Sequence, residues 1–147
     1  MSFTFNVKLV HPNAVFPTKT HSNDIGYDIT ILEEVERYSV NTAMYDTGLS
    51  IVPYNSSMYM ELVPRSSFAK TGYVMTNSVG IIDPDYTGTL RVILTKVDPD
   101  LPDITLPLKG FQVIARLAQR PSLYPVLDES DIRATKRGKG GFGSTGF

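Results

Sequence analysis

Thr76-Asn77-Ser78-Val79-Gly80-Ile81-Ile82-Asp83-Pro84-Asp85-Tyr86-Thr87-Gly88-Thr89-Leu90-Arg91-Val92-Ile93-Leu94-Thr95 sets an Asn, two Asp, a Tyr and two Gly between apolar runs. After Gly88, Leu90, Val92 and Leu94 alternate with Arg91, Ile93 and Thr95, close to the period of a half-buried strand. Before it, Tyr73-Val74-Met75-Thr76 is a short β-prone run, so the pattern predicts a hairpin with a long polar tip. Asp83-Pro84-Asp85 is strong turn chemistry, and Asn77 and Gly80 tolerate positive φ cheaply. Taken alone, the two carboxylates are explained by turn capping; their company elsewhere in the chain opens a catalytic reading.

Outward from this stretch the alternation repeats. Phe3, Phe5, Val7 and Leu9 read as a first strand, Asp28 to Ile31 as another, and Gly48 to Val52 as a third apolar run. Met58, Met60 and Leu62 alternate with Tyr59 and Glu61, and the methionines read as core filling. Phe111, Val113, Ala115 and Leu117 alternate with Gln112, Ile114 and Arg116, and Leu123 to Leu127 reads as a short last strand. Glu33 to Thr47 is polar and gives no clear pattern. Asp98 to Pro107 reads as a stiff exposed connection, with three acids and three prolines. Ten Pro and eleven Gly spread along 147 residues leave few windows for a long helix, so the fold class is all-β in one domain.

Composition excludes several chemistries. The chain has no cysteine, hence no disulfide, thiolate nucleophile or Cys-based zinc site, and its two histidines lack metal-ligand spacing. Fourteen basic against fifteen acidic residues give a net charge of -1, so no global field recruits nucleic acid or a membrane surface. No apolar run of about 18 residues exists and the start lacks the features of a signal peptide. The expectation is a soluble protein of the cell interior, cytoplasm or nucleus, in a host cell if the source is viral.

An anionic ligand must then be gripped locally. Pro64-Arg65-Ser66-Ser67-Phe68-Ala69-Lys70 reads as the start of a short helix with Ser as N-cap, Arg65 offering a fixed fork for phosphate oxygens and the hydroxyls further donors. A solvated surface turn is the plainer account of the same residues. The end, Lys136 to Phe147, holds five glycines, three cations, Ser144, Thr145 and Phe142. It reads either as a flexible tail or as a segment that closes over a nucleoside phosphate by the logic of Gly-rich loops.

Together and in this order, these pieces closely resemble the five motifs of the trimeric dUTP pyrophosphatases (dUTPases), spread over residues 26 to 146. They are Gly26-Tyr27-Asp28, Pro64-Arg65-Ser66-Ser67, Asn77 through Gly88, Gly110 through Leu117, and Arg137 through Gly146; Asp46-Thr47-Gly48-Leu49 is similar to a further Thr-Gly segment of the family. The third and fifth carry most of the specificity.

The resemblance implies a jelly-roll β-barrel over residues 1–135 and a flexible Gly-rich arm over 136–147, three subunits building three active sites at their interfaces. It implies hydrolysis of dUTP to dUMP and pyrophosphate with Mg²⁺, limiting uracil in DNA and supplying dUMP for thymidylate synthesis. By this resemblance Asp83 would activate the attacking water, Tyr86 would pack under the deoxyribose, and the backbone around Asn77, Gly80 and Ile82 would pair with the uracil edge. Asp28 would hold the metal through water, and Arg65, Ser66 and Ser67 would bind the triphosphate. Phe142 would stack on uracil, and Arg137, Gly143, Ser144 and Thr145 would close on the phosphates.

Two departures stand out. Thr89 occupies a position where the family commonly has Glu. The fourth motif reads Gly110-Phe111-Gln112-Val113-Ile114-Ala115-Arg116-Leu117 in place of Gly-Asp-Arg-Ile-Ala-Gln-Leu. Depending on the register, Arg116, Ala115 or Gln119 takes the place of the phosphate-binding Gln, and Arg116 is the candidate retained. Two other readings compete: a deoxycytidine triphosphate deaminase, which needs a further carboxylate that residues 89 to 95 lack, and a non-catalytic nucleotide- or partner-binding domain of this fold.

Overall fold

The computed structural model describes residues 3–143. Ten strands make up its regular structure besides two short 3₁₀ turns. The strands are β1 (Phe5–Leu9), β2 (Tyr27–Ile31), β3 (Glu33–Arg37), β4 (Thr42–Asp46), β5 (Leu49–Pro53), β6 (Met58–Pro64), β7 (Tyr73–Met75), β8 (Gly80–Ile82), β9 (Arg91–Lys96) and β10 (Leu108–Leu117). They form a two-stranded sheet β1-β5 and two four-stranded sheets ordered β2-β10-β6-β8 and β3-β4-β9-β7, every pairing antiparallel. This is the all-β class expected from the alternation, in the jelly-roll form that the resemblance implied.

One core joins all three sheets. Ile29, Ile31, Met60, Leu62, Phe111 and Val113 face Ala43, Tyr45, Val92, Leu94 and Met75, with Leu49 and Ile51 from β5. The alternation of β10 divides it cleanly: Phe111 and Val113 are buried while Gln112 and Ile114 lie on the outer face with their cross-strand partners. Met58, Met60 and Met75 are buried, as core-filling residues should be. Phe111 stacks obliquely on Phe68 of the 3₁₀ turn Ser66–Thr71, ring centroids 4.9 Å apart, which anchors that turn to β10.

Several expectations are corrected. The hairpin exists at its base, where β7 pairs with β9, but its tip is not all turn: Gly80–Ile82 crosses to the other sheet and pairs with β6. Gly80 permits this, because a Cβ there would stand 3.2 Å from the Leu62 carbonyl oxygen and 3.3 Å from the Met75 methyl. Neither Asn77 nor Gly80 takes a positive φ. Asn77 instead closes the tip by accepting from the Ile93 amide at 2.9 Å. The polar stretch 33–47 is the hairpin β3–β4, which the sequence hid because all five residues of β3 are exposed and carry no alternation. The 3₁₀ turn is capped by Arg65, not a serine, and no side chain bonds the cap. Leu123 to Leu127 is not a strand; Leu123, Tyr124 and Leu127 are almost fully exposed, since Pro125 interrupts the stretch and no strand edge among the described residues receives it.

Candidate active site

The first cluster grows from the turn Asp83-Pro84-Asp85-Tyr86, closed by the Tyr86 amide donating to the Asp83 carbonyl at 3.1 Å. Pro84 and Asp85 occupy its centre, in keeping with proline's preset φ. The turn leaves the Asp83 carboxylate exposed at the end of β8. The Tyr86 hydroxyl donates to the Thr89 carbonyl at 2.7 Å, which folds the ring across Gly88. A Cβ on Gly88 would lie 2.5 Å from the Tyr86 hydroxyl, so only glycine leaves the ring in place. Asp83, Tyr86, Asn77 and Ile82 border a cleft of about 360 Å³ whose far wall is Ile93 and Arg91.

Beneath this cleft lies a polar network that the sequence did not reveal. Asp46 accepts from the Thr89 hydroxyl at 3.1 Å and from the Gly48 amide at 2.9 Å, and pairs with Arg91 at 3.6 Å. Thr89 thus links the segment carrying Tyr86 to β4. The distance in sequence between Asp46 and Thr89 hides the pair from any local pattern.

The second cluster lies at the opposite end of β6. Arg65 Nε meets the Asp28 carboxylate at 3.2 Å, and Nη1 donates to the Lys109 carbonyl at 3.0 Å. Asp28 is nearly buried and Arg65 about one-third exposed, so the guanidinium is oriented but reachable. Ser66 and Ser67 follow it on the surface. The strand order explains the meeting: β10 runs between β2 and β6, with Gln112 opposite both Asp28 and Val63. The Asp28 backbone is tied by bonds in both directions to Thr18, whose neighbour Lys19 places its ammonium 4.4 Å from the Tyr27 ring centroid.

The two clusters do not meet within one chain. Ile82 pairs with Met60, so Asp83 stands level with Tyr59, and from Tyr59 to Arg65 the strand advances about 20 Å at 3.3 Å per residue. Arg116 stands at the Tyr59 end, level with Asp83, and is engaged there by a carboxylate. In register with Tyr59, it gives its guanidinium to Glu61 at 3.1 Å, about 13 Å along β10 from Gln112. Ala115 points to the other face, into an apolar groove with Phe3, Phe5 and Phe16.

Within residues 136–143, Arg137 Nε donates to the Gly140 carbonyl at 2.8 Å, and the Phe142 ring is fully exposed. Ser144 and Thr145 lie outside the described residues. Among the described residues no cluster of three His, Cys, Asp or Glu side chains could cage a metal. The lone carboxylate Asp28 suits a hard cation that keeps most of its ligands as water and phosphate, which is the habit of Mg²⁺. Elsewhere, a cleft of about 740 Å³ lies beside β3, β4, β7 and β9. There Lys96 binds Asp103 at 2.6 Å; that hydrogen bond lowers the Asp103 pKa and raises that of Lys96.

Comparison with known proteins follows the same lines. A family model described as dUTPase matches residues 12–146. The deoxyuridine 5'-triphosphate nucleotidohydrolase of Mycobacterium bovis BCG is 33% identical, over 99% of this chain and 97% of its own length. The protein of the same name from Wolinella succinogenes is 31% identical over 93% of this chain and 90% of its own. Among solved structures, the dUTPase of Staphylococcus bacteriophage 80alpha, in complex with dUPNHPP, has a TM-score of 0.79 at 25% identity, covering 98% of this chain and 99% of that one.

Proposed function

Because this chain belongs to the dUTPase family, we propose that it is a dUTP diphosphatase, hydrolysing dUTP with one water to dUMP and pyrophosphate, with Asp83 as the base. The observation that carries this reading is the Asp83–Tyr86 turn, which sets an exposed carboxylate beside a tyrosine ring held against Gly88 at the edge of a cleft. The ring is the floor for a deoxyribose, too close to admit a 2′-hydroxyl. The narrow tip around Asn77, Gly80 and Ile82 offers backbone groups to the uracil edge.

Asp83 orients the water for in-line attack on the α-phosphorus and accepts its proton; the bond to the bridging oxygen breaks and pyrophosphate leaves. Positioning carries most of the work, since the charge developing in phosphoryl transfer is met by cations. Arg65, with Ser66 and Ser67, binds the β- and γ-phosphates. Mg²⁺, when bound with the triphosphate, neutralises its charge, and Asp28 is the residue that would hold it through water.

The separation of about 20 Å between Asp83 and Arg65 supports a site completed by another copy, hence a homotrimer with three interfacial sites. The open groove beside Phe3, Phe5 and Phe16 and the exposed Leu123, Tyr124 and Leu127 support it as well: both are apolar surfaces that a further copy would cover. The segment from 136 onward then serves as an arm distinct from the barrel of residues 1–135. Phe142 closes on the base and Arg137, Gly143, Ser144 and Thr145 on the phosphates, excluding bulk water.

The deciding experiment is pyrophosphate release with Mg²⁺ from dUTP, dTTP, dCTP and UTP in parallel. Release from dUTP alone is expected. Equal release from UTP would remove Tyr86 as the sugar gate, and binding of dUTP without release would leave a nucleotide-binding domain.

A further inference from the structure

We infer that Gln112 is a positioning residue for the phosphate end of the site, acting through the Pro64 carbonyl and the bare surface of Gly26; this rests on the hydrolytic reading above. Gln112 lies on the outer face of β10, opposite Asp28 on one neighbour and Val63 on the other. It therefore stands between the strand that carries the metal-side carboxylate and the strand that ends in the phosphate-side arginine. Its Nε2 donates to the Pro64 carbonyl, the last before Arg65, at 3.3 Å.

The other end of the same amide lies on Gly26. A Cβ at residue 26 would stand 2.2 Å from Gln112 Oε1 and 3.0 Å from its Cδ. The side chain reaches Pro64 in this rotamer only because residue 26 has none. Gly26 does not need its freedom of φ here, since its φ is not in the left-handed region; it is needed as space. From the far side the Arg65 amide donates to the Gly110 carbonyl at 2.8 Å, so β10 grips the peptide ahead of Arg65 twice. With that peptide held, the guanidinium fork keeps its bonds to Asp28 and Lys109.

An amide is the group this position requires. Leucine would fill a similar volume but donate nothing to the carbonyl. Glutamate would set an acceptor against it and a second carboxylate beside Asp28. A half-buried glutamine that merely fills a sheet surface would tolerate either change.

The test compares two ligands on the full-length protein in metal-free buffer: dUpNHpp, which carries the β- and γ-phosphates, and dUMP, which does not. Q112L is expected to bind dUpNHpp about fivefold more weakly, the worth of one hydrogen bond, with dUMP affinity unchanged and with KM for dUTP raised more than kcat is lowered. G26A should show the same loss, because its methyl displaces the Gln112 side chain, and Q112A in the G26A background should add nothing further. Q112E should be at least as weak as Q112L. Unchanged dUpNHpp affinity in Q112L, an equal loss for dUMP, or losses in G26A and Q112A that multiply would each overturn the inference. The wild-type protein assayed alongside separates the two claims: failure of wild type to hydrolyse dUTP defeats the functional reading, while the ratio of the two affinities still judges Gln112.

Discussion

The two ends of β6 are built differently. At the Tyr59 end, Asp83, Tyr86 and Gly88 come from one short segment, and their geometry is closed by bonds within the seven residues from Asp83 to Thr89. At the Pro64 end, Asp28, Arg65, Lys109 and Gln112 come from three distant segments joined by strand pairing. A contiguous turn can be read as a motif, whereas a convergent cluster exists only once the sheet has formed. In the proposed mechanism the same difference divides the labour: the turn would handle the nucleoside and the water, and the cluster the phosphates.

The sharpest break in this comparison is Asp83→Asn, expected to lower kcat about 10²- to 10⁴-fold, the range for loss of a positioned base, with nucleotide affinity kept. Arg65→Ala should instead act mainly on KM. Co-refolding these two variants should recover activity that neither has alone, because a site joining two copies can then pair an intact turn with an intact phosphate cluster. No recovery in the mixture would mean that both ends act within one chain.

Truncation before Arg137 should leave fold and assembly intact, as read by circular dichroism and sedimentation, while lowering turnover on the order of 10²-fold, comparable to loss of a preorganised donor. Normal turnover in the truncated protein would end the closing-arm proposal. Gly88→Ala, which forces the Tyr86 ring off the Thr89 carbonyl, should raise KM about tenfold, within the range for a lost polar contact, and narrow the preference for dUTP over UTP. A shift in KM without any change in sugar preference would deny the ring its gating role.

Arg116→Ala is expected to change KM by less than about threefold, since an exposed pair of this kind is worth little and Glu61 already engages the guanidinium. A larger loss would bring Arg116 into the phosphate set. The smallest effect belongs to a region away from both ends. The Lys96 contact holds the Asp103 pKa below its ordinary value, so the stability it contributes is present at neutral pH and is lost as pH falls through that lowered pKa. Asp103→Asn should therefore lower Tm slightly at pH 7 and not at all at the acid end, read by thermal melts across pH with activity unchanged.

Where residues are local in sequence, the reading from pattern survives in the structure. Leu90, Val92 and Leu94 are buried as their spacing requires, and the Asp83–Tyr86 turn has proline where such turns favour it. Where the decisive partner is remote, pattern is silent or misleads. The all-exposed β3 has no periodicity to find. Leu123 to Leu127 has the composition of a strand and lacks an edge to join. Arg116, matched to the phosphate-binding position of a motif, lies at the Tyr59 end of β10 on Glu61, while Gln112, an outward residue of an ordinary alternation, lies between Asp28 and Pro64.

By itself, then, the sequence determined the all-β class, the inward residues of most strands, and the chemistry of the Asp83–Tyr86 turn. These follow from alternation and turn preference, which depend on neighbours a few residues away. Only the tertiary structure decided that Gly80–Ile82 crosses to β6, that Asp46 supports Thr89, and that Gln112 stands where Asp28 and Arg65 meet. It also decided that Asp83 and Arg65 lie about 20 Å apart, measured along β6. Those outcomes depend on which strands pair and in what register, and a one-residue slip would reverse every face. Register is selected by the packing of the whole core, which no local window of the chain contains.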